Sequence, residues 1–276
     1  MIDLYYYTSP NARKVLIALE ELGLPYRIRW TDISAGDQFT EDYLKINPNA
    51  KIPAITDHDG PGGQPVTLFE SAAILLYLAD KTGRLMPADP ARRWEATCWL
   101  IWQVATHGPA AGQAAHFVSH APHQGIHDEY ATDRYRREAT RVYQVLERKL
   151  SGQDYLAGEF SMADIACFPW VRVAAGHGID LVSFPAVSRW AGRISARPSA
   201  KVRIDDPREA RAAKGEYTPE QFATLFRSGP LAVGQAAPAD GNGPLAADRA
   251  APAGEPAPDE GDGGACPVPA RGKGAR

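Results

Sequence analysis

The residues best placed to do chemistry open the chain, in Tyr5-Tyr6-Tyr7-Thr8-Ser9-Pro10-Asn11. Ser9 followed by Pro10 is a helix-start signal, because a serine hydroxyl caps bare backbone N–H groups and proline is tolerated at the first helical position. Hydroxyl and amide groups delivered to a helix N-terminus, where unpaired N–H groups and the helix dipole favour negative charge, suit a phosphate, a carboxylate or a thiolate. Taken alone, Ser9 is more simply a cap. Glu70-Ser71 repeats the theme at a later helix: the Ser71 hydroxyl suits a carboxylate and Glu70 suits an ammonium, or the pair is an ordinary N-terminal helix signal. At Ile52-Pro53 a proline stands where a strand begins, which fits a strand end or edge. A cis bond there would expose the Ile52 carbonyl and N–H to an extended peptide, although most bonds before proline are trans.

Other reactive side chains read more plainly. His107, His116, His120, His123 and His127 crowd one region. Pro122 and Gly125 break any single helical face there and no cysteine is near, so a wet loop or pocket rim is expected and no metal site. Cys98 and Cys167 lie on apolar stripes and are expected to be buried, while Cys266 falls near the end of the chain. Three cysteines, far apart and odd in number, argue against a disulfide framework and suit a reducing cytoplasm.

These groups need elements to hold them. Ile2, Leu4 and Tyr6 alternate with Asp3 and Tyr5, the period of a strand, and Val15, Leu16, Ala18, Leu19 and Leu22 then recur at helical spacing up to Gly23. Tyr26, Ile28 and Trp30 form a second strand, a short helix ends near Ile46, and Lys51 to Ile55 and Val66 to Phe69 make two more strands before the Glu70-Ser71 helix. The order β-α-β-α-β-β-α predicts a small sheet with helices on both faces over residues 1–84. After a linker, residues 91–204 read as wholly helical. One stripe is Trp94, Cys98, Ile101, Trp102 and Ala105; another is Tyr135, Ala139, Val142, Leu146 and Leu150; Ser161 to Asp164 forms a capping box. Residues 205–276 read as an extension with one short helix beginning at Pro219, rich in alanine, proline and glycine and largely disordered from about 229. A formal charge of −3 argues against a nucleic-acid surface. No secretory signal and no membrane span are expected.

Together the β-α-β-α-β-β-α start, the Ile-Pro step, the Glu-Ser helix opening and the helical second domain resemble the glutathione transferase superfamily. Ser9-Pro10-Asn11, Gly36-Asp37-Gln38-Phe39, the run from Asn47 to Ile55, and Leu68 to Leu78 resemble its bacterial Nu class in particular, as do Trp99 to Gln103 and Ala163 to Ala166. That class is related to the globular domain of the yeast nitrogen-regulator prion protein. The resemblance covers Met1 to Ile204. It implies a thioredoxin-like domain plus an all-α domain, a homodimer, and small thiols and disulfides as partners, with glutathione as reduced cosubstrate or in oxidised form. The implied activity is glutathione-dependent disulfide-bond reduction. The alternatives are transfer of glutathione to electrophiles, hydroperoxide reduction, or a non-catalytic glutathione-binding regulator.

Carried over residue by residue, the resemblance has Asn11 and Ser9 facing the glutathione sulfur and Gln38 at the glycine end. Ile52, with Pro53, pairs its backbone with the cysteinyl part, Glu70 and Ser71 hold the γ-glutamyl group, and Arg134 reaches the ligand. Members usually carry threonine where this chain has Ser9. Tyr6 or Tyr7 is the rival donor to the sulfur. The first domain contains no cysteine, so the reactive thiolate would be the ligand's own.

Overall fold

The structure, a computed structural model, describes residues 1–204 and 217–226. The disorder expected from about 229 onward lies outside the described residues. Four strands form one sheet in the order β2-β1-β3-β4: β1 Ile2–Tyr6, β2 Tyr26–Trp30, β3 Ala54–Asp57 and β4 Val66–Phe69. β1 pairs parallel with β2 and antiparallel with β3, and β3 pairs antiparallel with β4. The connections are α1 Pro10–Leu22, α2 Glu41–Ile46 and, after β4, α3 Ser71–Thr82. α1 is buried almost all round, from Ala12 through Lys14 to Leu19, because it packs against α3 and also against the helical half.

The helical half comprises α4 Pro90–Trp102, α5 Gly108–Ala115, α6 Glu129–Leu150, α7 Met162–Val171, α8 Pro185–Ser195 and the single turn α9 Pro198–Lys201. Wider π turns follow α4 at Gln103–His107 and α5 at His116–His120. Pro109 lacks the N–H that a regular helix would present there, which accounts for the first widening. The fold is therefore the expected thioredoxin-like sheet domain with a helical C-terminal domain. α6 buries Ala139, Val142, Leu146 and Leu150 as expected. The capping box is formed too. Asp164 accepts from Ser161 N at 3.0 Å, from Leu156 N at 3.0 Å and from Trp190 Nε1 at 2.8 Å, which ties α7 to α8.

Two expectations fail. On α4 the buried face is Ala96 and Leu100, continued by Gln103 and His107, so Trp94 (71 % exposed), Cys98 and Ile101 point outward. Two polar residues on the inward face disguised it. His107 is not at a wet rim. It is fully buried, stacked on Trp102 and edge-on to Tyr143, and burial brings its pKa down to about 3. His116 and His120 are half-buried against a final helix, Pro219–Phe226, whose Phe222 and Phe226 stack on them. Among the described residues no cluster suits a metal ion, and no helix is long and apolar enough to cross a membrane.

Candidate functional site

The sheet register gathers the singled-out residues. Tyr5 lies beside Ala54, and Ala54 beside Phe69. The residues that follow β1, precede β3 and follow β4 therefore share one end of the sheet. Ser9 and Asn11, Ile52-Pro53, and Glu70-Ser71 are delivered there. β2, parallel to β1, ends on the same side and leads into the turn Asp37–Phe39 that carries Gln38.

At that end each ligand-type side chain has its orientation set by the protein. Ser9 caps α1, its Oγ accepting from Ala12 N at 3.2 Å. Asn11 Oδ1 accepts from Trp170 Nε1 at 3.0 Å. Indole has only a donor, so the amide oxygen must face it and the Nδ2 group is turned away. Ser71, the first residue of α3, is buried, and its Oγ accepts from Lys14 Nζ at 3.2 Å. In all three cases a protein donor occupies the oxygen and leaves an O–H or N–H to offer outward. Gln38 is the converse: Nε2 donates to Ile33 O at 3.1 Å, while the buried Oε1 has no partner among the described residues. Glu70 is exposed and takes φ +68°, a conformation unusual for a residue with a side chain. The Ile52-Pro53 bond is cis, against the usual preference, and among the described residues no group in the chain hydrogen-bonds the Ile52 backbone.

Sequence reasoning missed Lys14, Gln103 and Trp170. Lys14 is 1 % exposed and also donates to Gln103 Oε1, linking the two halves beneath Ser71. Burial lowers its pKa to about 7, against the opposing influence of Cys167 and Glu70. A lysine inside the run Val15 to Leu19 was a visible signal; nothing marked Trp170. Arg134 is exposed on α6, and no described bond joins it to the other site residues. Tyr6 is buried and packs edge-on against Trp30, while the Tyr7 hydroxyl lies 3.5 Å from Ser34 Oγ. Cys167 is buried, with its thiol pushed up by burial.

Comparison with known proteins gives the family. Residues 8–81 match the glutathione S-transferase N-terminal domain and residues 109–198 the C-terminal domain. The chain is 47 % identical over 201 residues to the disulfide-bond oxidoreductase YfcG of Escherichia coli, covering 72 % of this chain and 92 % of that one. It is 32 % identical to the transcriptional regulator URE2 of Saccharomyces cerevisiae, over 70 % of this chain and 64 % of that one. A glutathione transferase from Pseudomonas putida, solved with one glutathione disulfide per subunit, superposes with a TM-score of 0.69 at 42 % identity, over 72 % of this chain and 89 % of that one. The chain belongs to the glutathione S-transferase family.

Proposed function

We propose that the protein is a glutathione-dependent disulfide-bond oxidoreductase whose reactive sulfur is that of bound glutathione. The observation that carries this reading is the outward-facing donor set: Ser9 Oγ–H, the Asn11 amide and Ser71 Oγ–H, each with its oxygen already engaged. Such a set favours anions at two helix N-termini, a thiolate at α1 and a carboxylate at α3. Glu70 suits the ligand ammonium, and Gln38 Oε1 together with the Ile52 backbone suits peptide groups. The name of the Escherichia coli relative and the glutathione disulfide in the Pseudomonas putida structure support the same reading.

A free thiol titrates near 8.5, and one pKa unit corresponds to about 1.4 kcal/mol. A hydrogen bond to a charged group is worth about 1.5–3 kcal/mol, so two donors suffice to populate the thiolate at neutral pH. The thiolate attacks one sulfur of the substrate disulfide, forming a mixed disulfide and releasing one thiolate. A second glutathione thiolate then attacks the mixed disulfide, giving glutathione disulfide and the other thiolate.

The test is reduction of 2-hydroxyethyl disulfide by Asn11→Ala and Tyr6→Phe, with chlorodinitrobenzene conjugation measured in parallel. Asn11→Ala is expected to lower reductase kcat/KM by roughly tenfold to a hundredfold, the worth of one charged hydrogen bond. Loss of activity only in Tyr6→Phe would overturn the assignment of Asn11, and conjugation without reduction would overturn the reaction.

A further inference from the structure

We infer that Lys14 is a positioning residue for the α-carboxylate of glutathione, a buried counter-charge that acts through the Ser71 hydroxyl, and that the carboxylate and a proton are taken up together. The inference rests on the reading of Ser71 as the donor to the γ-glutamyl end. Lys14 is 1 % exposed and stands where α1 packs against α3 and α7. Its Nζ donates to Ser71 Oγ at 3.2 Å and to Gln103 Oε1. Both partners are buried, and both are neutral. An ammonium has three N–H bonds to place and a neutral amine has two, so two acceptors satisfy the amine and leave the ammonium one short. Among the described residues Lys14 joins no ion pair.

The groups that face Lys14 from each neighbouring element leave that deficit in place. From α3 the facing charge is Glu70, which is exposed to water. From α7 it is Cys167, whose thiol is kept protonated by burial. From the turn after α4 it is His107, kept neutral by burial. α9 meets α1 elsewhere, where Arg13 donates to Ala200 O and Glu21 accepts from Arg197 and Ser199. Burial brings Lys14 down to about 7, against the weaker opposing influence of Cys167 and Glu70, so the free site passes between its charged and neutral forms near neutral pH. A carboxylate that accepts from Ser71 Oγ–H stands one hydroxyl away from Nζ. Nζ is out of water, so that negative charge favours the ammonium. The charged lysine in turn makes the hydroxyl a stronger donor. Above pH 7 the site therefore gains a proton as it gains the carboxylate, and affinity falls as pH rises. Below pH 7 the lysine is charged already and the coupling fades.

Titration calorimetry of the full chain with S-methylglutathione, which has no ionisable thiol, measures the coupling through the dependence of the heat on the ionisation enthalpy of the buffer. The expected uptake is about 0.4–0.8 proton per site at pH 8 and about 0.1 at pH 6, and affinity should drop roughly three- to fivefold from pH 7 to pH 8. Two comparisons assign the proton. Lys14→Met should lose both the uptake and the pH dependence. The S-methyl derivative of γ-aminobutyryl-cysteinylglycine keeps every group of the ligand except the α-carboxylate; it should bind the parent protein more weakly and without uptake, a comparison that asks no variant to fold. Binding of S-methylglutathione without uptake, uptake that persists in Lys14→Met, or equal uptake with the decarboxylated ligand would overturn the role of Lys14 and leave the glutathione reading standing. Failure of S-methylglutathione to bind at all would overturn that reading and this inference with it.

Discussion

The indole N–H of Trp170 holds the side-chain oxygen of Asn11 at 3.0 Å, across 159 residues of sequence. The contact decides which end of the amide faces the site, and it makes Trp170 a positioning residue for the sulfur. Trp170→Phe keeps the aromatic bulk and removes the donor. The expected result is a rise of about half to one unit in the pKa of bound glutathione, followed by thiolate ultraviolet absorbance, because a misaligned neutral hydrogen bond is worth about 1 kcal/mol. Glutathione KM should move less than kcat at pH 7, a split that simple loss of packing would not produce.

Ser71 is the carboxylate donor in the proposed site, and its oxygen is engaged by Lys14. Ser71→Ala should raise the KM for glutathione roughly tenfold or more while leaving kcat within a few-fold, since the γ-glutamyl end lies away from the reacting sulfur. Steady-state kinetics at saturating disulfide measures this directly, and an unchanged KM would remove Ser71 from the site.

Lys14 carries a pH signature. Burial lowers its pKa to about 7 in the folded chain, whereas the unfolded chain retains the ordinary value of 10.5. Between those values the unfolded state binds the extra proton, so stability rises with pH, by about 1.4 kcal/mol per unit at most. Below pH 7 both states are protonated and the dependence vanishes. Urea unfolding of the parent protein and of Lys14→Met at pH 6, 7.5 and 9 should show the parent gaining on the variant in both intervals, and most over the upper one.

The outward stripe of Trp94, Cys98 and Ile101 on α4 is apolar and exposed. The homodimer implied by the family resemblance would cover such a stripe with a second copy. Ile101→Lys is expected to shift the protein toward a lighter species in light scattering, with the far-ultraviolet dichroism unchanged. A monomeric parent protein would contradict the dimer.

Much of the architecture was legible because it is local. The alternation at Ile2, Leu4 and Tyr6, the Ser9-Pro10 start and the Gly23 stop specify a strand and a capped helix from neighbours alone. The stripe on α6 and the box at Ser161 and Asp164 followed from the helical repeat in the same way. The face of α4 was misread because a polar pair, Gln103 and His107, shares the buried side with Ala96 and Leu100. Periodicity registers apolar residues, and a buried polar residue is acceptable inside only when a distant partner or ring meets it, as Lys14 meets Gln103 and Tyr143 meets His107.

By itself the sequence determined which groups are available: two serines at helix starts, an asparagine beside one of them, a glutamate beside the other, and no cysteine in the first domain. Only the tertiary structure decided which way those groups point. A hydroxyl or amide can donate or accept, and the choice was made by Lys14 and Trp170, which the chain brings in from a buried helix face and from the other domain. Hydrogen-bond direction depends on what stands opposite in space, and spacing along the chain carries no record of it.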